Sequence, residues 1–153
     1  MKLRLKNWKP LAIAAGLLYL LILARCHPVA PPMRKADAVI NMKLTGYCAC
    51  KKCCGWKISW YGMPVFSSGS LKGKIKVIGK TASGKMARPG TVAVDPKLFP
   101  MGTKFYIPGY GWGIARDTGG DIKGRHLDLF FWFHQSGKNW GVQHRPVKVW
   151  YPR

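Results

Sequence analysis

The sequence predicts an all-β protein, a small closed barrel with one or two short helices. Three observations point there. Short apolar or alternating segments recur about every 8–12 residues, the spacing of barrel and sandwich strands. Eighteen Gly and eleven Pro are scattered without a period, which implies many turns. A single stretch, "HQSGKNWG" (134–141), reads as helical, for one or two turns. A hydrophobic content of 48% with seven Trp supports a packed core rather than a disordered chain, and no repeat of solenoid length is present.

The elements follow in order. Lys2, Arg4, Lys6 and Lys9 precede an apolar run from Leu11 to Ala24, the pattern of a secretory signal. A spanning helix needs about 20 apolar residues, so the run is short for an anchor unless Trp8 extends it. Residues 1–24 are therefore assigned as a signal peptide or membrane anchor. Residues 25–38, "RCHPVAPPMRKADA", are Pro-rich and charged and read as a linker to a domain at 39–153. "VINMKLTGY" (39–47) alternates as a first strand. Gly-, Ser- and Lys-rich sequence after Cys54 suggests loops joining short strands. "TVAVD", "TKFYI", "GIARD", "HLDLFFWF" and "RPVKVWY" are the later strands. In "HLDLFFWF" a period of two sets Asp128, Phe130 and Trp132 against Leu129, Phe131 and Phe133.

Charge narrows the function. Lys and Arg number 26 against five acids, all Asp, for a net charge of +21. Such an excess draws a protein toward polyanions. Inside a cell that would mean nucleic acid. With an export leader it means anionic envelope polymers or a membrane surface, and no nucleic acid partner is expected.

Against that background, three of the five acids, Asp117, Asp121 and Asp128, fall within twelve residues. With Asp95 in "TVAVDP", they sit at strand ends or starts beside Gly or Pro. Carboxylates brought together cannot all ionise cheaply, and burial pushes a pKa further up. An acid held protonated near neutral pH is a general acid. Each residue has a plainer reading. Asp95 before Pro96 is an ordinary turn residue, and Asp117 and Asp121 can cap a Gly-Gly turn. Asp128, inside a strongly apolar strand, needs a partner or a purpose.

"VDP", "LFPMGTK", "DTGG-IKG" and "HLD" together resemble the three-aspartate domain of bacterial cell-wall enzymes, found also at the C-terminal end of membrane-bound lytic transglycosylase A and in spore and stationary-phase muralytic proteins. The resemblance runs from about Lys43 to the C-terminus and is strongest over 81–131. It implies a six-stranded double-psi β-barrel, with the three named aspartates at Asp95, Asp117 and Asp128. Asp121 is left as a turn residue. It further implies a lytic transglycosylase that cleaves the β-1,4 bond between N-acetylmuramic acid and N-acetylglucosamine of peptidoglycan glycan strands. Asp128 would be the acid/base, Asp117 would raise and orient it, and Asp95 would hold the rim or bind sugar hydroxyls. Thr81, Ser83 and Gly84 match a groove-lining loop. Gly119 and Gly120 would let backbone N–H groups approach substrate, and Tyr110 and Trp112 would stack on sugar rings. No cofactor is expected.

"YCACKKCCGW" packs Cys48, Cys50, Cys53 and Cys54 into seven residues. Four thiolates suit zinc, but such sites usually draw pairs from separated segments. In an exported protein disulfides are the default, and the cluster is assigned to disulfides with no metal. Cys26 makes the count odd. His126, His134 and His144 lack ligand spacing and are assigned no metal. The expected place is the cell envelope, whether periplasmic, membrane-anchored or secreted. Two rival functions stand beside the enzyme: a non-catalytic expansin-like barrel that binds wall polysaccharide, and a basic nucleic-acid binder with a metal-held Cys knuckle.

Overall fold

Six strands close into a barrel in the order β1-β7-β4-β6-β5-β8. They are β1 (Ala38–Tyr47), β4 (Thr91–Ala93), β5 (Lys104–Ile107), β6 (Gly111–Asp117), β7 (His126–Phe130) and β8 (Gln143–Trp150). Between β1 and β4 lie helix α1 (Lys51–Cys54) and the two-stranded ribbon β2 (Trp56–Ile58) and β3 (Pro64–Phe66), and helix α2 (His134–Trp140) precedes β8. The computed structural model describes residues 29–153. The leader assignment and Cys26 lie outside these residues. Among the described residues no helix is long and apolar enough to cross a membrane.

Alternation fills the barrel. Met42 and Leu44 of β1, Val92 of β4, Phe105 and Ile107 of β5, Leu127 and Leu129 of β7, and Val147 and Val149 of β8 are all buried in one cluster. Each such side chain contributes about 1.5–3 kcal/mol by leaving water. Closure gives each of the six barrel strands two neighbours and leaves the barrel no edge to aggregate. The pairing is mixed: β1 runs parallel to β7 and β4 parallel to β6, while β4–β7, β5–β6, β5–β8 and β1–β8 are antiparallel.

A smaller cluster of Tyr47, Ala87, Ala93, Ile122 and Phe130 forms on the outer face. These residues have the opposite parity to the core residues beside them, so β1, β4 and β7 are covered on both faces. Helix α2 packs close against β1. A side chain on Gly46 would lie 2.9 Å from the Gly137 Cα, so this close approach requires glycine at position 46.

The stretch read as a linker is not loose where it is described. Trp150 Nε1 donates to Arg34 O at 2.9 Å, the Tyr151 N–H donates to Asp37 Oδ2 at 2.8 Å, and Arg34 pairs with Asp37. Val29 is buried, and Lys104 Nζ donates to Ala30 O at 3.0 Å. Residues 29–37 thus lie along the end of β8 because aromatic N–H and backbone donors there find partners in them.

Candidate active site

Strand register builds the site. Thr45 of β1 pairs with Asp128 of β7, Asp128 pairs with Ala93 of β4, and Ala93 pairs with Asp117 of β6. The four residues form one row across four strands. A β-bulge makes this possible. Val92 pairs with Ala115, but Ala93 pairs with Asp117, so Arg116 is skipped. An extra residue in one strand re-aims the side chains that follow it. Asp117 and Asp128 stand two strands apart, about 10 Å between backbones, with the small Ala93 between them. That gap opens a small cleft of about 220 Å³, lined by Asp117, Asp128, Tyr47, Phe130, Lys80 and Gly119 among others. The carboxylates were expected at a mouth of the barrel. They meet instead on its outer face, because Leu127 and Leu129 take the inward positions of β7 and leave Asp128 outside.

The two acids are held differently. Asp117 accepts three hydrogen bonds: from the Ala82 N–H at 3.0 Å and the Thr118 N–H at 2.9 Å to Oδ1, and from the Tyr47 hydroxyl at 2.9 Å to Oδ2. The Tyr47 phenol is buried and beside this carboxylate, so its pKa is raised and it remains a donor. Asp128 is half-buried and accepts from Thr45 Oγ1 at 2.6 Å. Burial raises its pKa above the ordinary 3.8, the Asp117 charge adds to the rise, and the Thr45 hydrogen bond opposes it. His126 Nε2 lies 2.9 Å from the same Thr45 hydroxyl. Its own pKa is lowered, chiefly by burial and then by Lys43. Thr45 and Tyr47 were missed in the sequence, where both read only as residues of a first strand. Their role depends on a pairing with a strand some 80 residues away.

The remaining expected residues divide. Asp95 is buried, and it does not line the cleft. Its Oδ1 accepts from the Lys97 N–H at 3.1 Å and Oδ2 from the Gly124 N–H at 2.9 Å. Those two bonds hold its pKa below the ordinary value and make it the turn residue of the plainer reading, tying one loop to another. Asp121 is exposed in its turn. Thr81 is buried and bonds to Ser83 Oγ at 3.0 Å and Lys85 O at 2.8 Å, which with the Gly84 N–H to Thr81 O bond at 2.9 Å shapes the loop that presents Ala82 to Asp117. This loop borders a second depression of about 490 Å³, which shares Lys76, Lys80, Asp117 and Thr118 with the first, so the two lie side by side. Gly119 lines the cleft, where a Cβ would fall 2.7 Å from Ile122 Cγ1; Gly120 is exposed beside it.

Tyr110 and Trp112 are elsewhere. The Tyr110 hydroxyl donates to Phe130 O at 2.8 Å and accepts from the Gly90 N–H at 2.9 Å, and its ring packs on Phe131 and Trp140. Trp112 packs on Trp150 at 4.9 Å and on Tyr106 at 5.3 Å. Neither lines the cleft. Both were expected to stack on sugars; packing occupies their rings instead.

Cys48, Cys50, Cys53 and Cys54 are free thiols. The first three converge with His134 beside the cleft, which Cys53 also lines, and are the described residues able to hold a metal. Cys54 lines the cleft but stands outside this group, and its Sγ lies 3.2 Å from Cys48 O.

Comparison with known proteins bears on the later part of the barrel. Residues 90–152 match the family model of the 3D domain, a span that contains Asp95, Asp117 and Asp128 and runs from β4 through β8, with β1 outside it. Over 77 residues it is 43% identical to the cell wall-binding protein YocH of Bacillus subtilis (strain 168), covering 48% of this chain and 27% of that one. Over 58 residues it is 43% identical to YabE of the same organism, named for cell wall shaping, covering 38% of this chain and 14% of that one. The chain thus spans less than a third of either relative. Among solved structures it is similar to MltA from Escherichia coli, a lytic transglycosylase, at 24% identity with a TM-score of 0.39, covering 48% of this chain and 28% of that one. A second MltA structure gives 22% identity and a TM-score of 0.40.

Proposed function

We propose that the 3D domain cleaves peptidoglycan glycan strands as a lytic transglycosylase, with Asp128 as the single acid/base. The observation that carries this reading is the pairing of a half-buried carboxyl whose pKa is raised with a second carboxylate on the wall of the same cleft. Protonated Asp128 gives its proton to the glycosidic oxygen between N-acetylmuramic acid and N-acetylglucosamine. As a carboxylate it then takes the proton of the C6 hydroxyl, which closes onto C1 as a 1,6-anhydro ring. No water is consumed, and no second nucleophile is required.

The other residues position this one. Thr45 fixes one Asp128 oxygen and, with His126 behind it, sets the orientation of the carboxyl. Asp117, anchored by Tyr47 and the 81–85 loop, supplies the charge that helps keep Asp128 protonated. Lys76 and Lys80, shared by the two depressions, suit an anionic wall polymer. Two adjacent depressions suit successive units of a chain. The sequence resemblance that suggests this chemistry also implies the double-psi connection of the barrel, and it supports the cell envelope as the site of action. YocH, named as cell wall-binding, is consistent with the wall as target.

Digestion of purified peptidoglycan, with mass spectrometry of the products, tests the reading. Anhydro-muropeptides that disappear in Asp128→Asn, with the fold retained, are expected. Wall binding without any such product would leave the expansin-like alternative in its place.

A further inference from the structure

The geometry points to a structural zinc site formed by Cys48, Cys50, Cys53 and His134, a proposal that stands apart from the transglycosylase reading. The four ligand atoms all lie within 4.8 Å of one another. His134 Nδ1 is 3.8 Å from Cys48 Sγ, 3.6 Å from Cys50 Sγ and 3.4 Å from Cys53 Sγ, and the Cys48 and Cys53 sulfurs are 3.8 Å apart. Around a tetrahedral zinc with Zn–S near 2.3 Å and Zn–N near 2.0–2.1 Å, neighbouring sulfurs fall about 3.8 Å apart and sulfur and nitrogen about 3.6 Å apart. These four separations are close to those of a filled coordination sphere.

Local structure explains the convergence. Cys48 follows the last residue of β1, Cys50 caps the start of α1, and Cys53 sits one turn on. Cys54 is the next residue on the helix and points about 100° away, which takes its thiol out of the group. His134 is the first residue of α2. Three soft thiolates and an imidazole in a tetrahedral set select zinc over harder divalent cations. Lys51 and Lys52, on helix α1 between Cys50 and Cys53, offset the net negative charge of three thiolates around a divalent ion.

Disulfides account for these positions less well. Pairing two of the sulfurs would leave a third beside His134 and would give the imidazole no reason to sit within 3.8 Å of all three. Metal also answers a structural need. It would join α1 to α2 across more than 80 residues of chain and brace the wall that carries Ala49, Cys53 and Cys54 along the cleft.

The test uses the full chain, purified with its thiols reduced. Elemental analysis is expected to find one zinc per chain, and replacement by cobalt(II) to give the ligand-field and sulfur-to-cobalt charge-transfer bands of a tetrahedral thiolate site. Cys50→Ser and His134→Ala, at positions that are not fully buried, are expected to lose stoichiometric metal, while Cys54→Ser keeps it. A wild-type chain that takes up neither zinc nor cobalt when its thiols are reduced overturns the proposal without recourse to any variant. So does a Cys54→Ser variant that loses metal as completely as Cys50→Ser.

Discussion

Asp95 and Asp128 come from the same set of three carboxylates, yet the barrel puts them to opposite uses. Asp95 spends both oxygens on backbone N–H groups of Lys97 and Gly124, and its pKa falls. Asp128 has a side-chain hydroxyl as partner, is half-buried beside another charge, and its pKa rises. Backbone donors that cannot rotate away favour the ionised form permanently, so Asp95 is a fastener. A carboxyl short of fixed donors and short of water is left able to hold a proton and release it. Identity of residue type therefore says little about role; the direction of the pKa shift and the nature of the donors say more.

The largest effect separating the two should come from Asp128→Asn. Loss of general acid–base assistance is expected to lower anhydro-muropeptide formation by about 10²–10⁴-fold. The same change should raise thermal stability at neutral pH. The folded pKa of Asp128 is raised, so its stabilising contribution is complete below the ordinary 3.8 and is lost as pH climbs through the raised value. The gain in Tm from the asparagine should shrink as pH falls through the raised value and be gone below 3.8.

Tyr110→Phe comes next and belongs on the fastening side. It strands the Gly90 N–H and the Phe130 carbonyl inside the protein, costing about 1–3 kcal/mol in a denaturant titration. KM for glycan should not move, because the ring is away from the cleft. A raised KM would return Tyr110 to the sugar-stacking role first expected of it.

Asp95→Asn should act with the reverse sign to Asp128→Asn. Its folded pKa is lowered, so it stabilises above 3.8 and that help fades as pH falls through the lowered value. The variant should melt below wild type at neutral pH, and the two curves should converge in acid. Activity per folded molecule should persist. The smallest effect is expected from Thr45→Val. Without that hydroxyl, Asp128 loses the bond that opposes its rise, so the alkaline limb of the pH–rate profile should move to higher pH.

Much of the barrel could be read directly because its signals are local. Alternation in "VINMKLTGY" and "HLDLFFWF", and turns such as "DPKLFPMG", mark β1, β7 and the approach to β5 within a few residues of their ends. "HLDLFFWF" proves shorter as a strand: β7 ends at Phe130, and α2 begins at His134. The site was legible only in its acids. Thr45 and Tyr47 reach Asp128 and Asp117 through a parallel β1–β7 pairing that no local pattern encodes. The bulge that skips Arg116 is equally silent in "GIARD". His134 carried no ligand spacing of its own, because its three cysteine neighbours lie more than 80 residues back along the chain.

With five acidic residues, all aspartate, selective carbon-13 labelling of aspartate carboxyls would give only five side-chain signals to follow through a pH titration by NMR. Asp128 is expected to titrate above 3.8 and to move back toward that value in Asp117→Asn, while Asp95 titrates below it. An Asp128 carboxyl that ionises in step with Asp95, or that ignores the loss of Asp117, would contradict the assignment of a proton-bearing acid in this cleft.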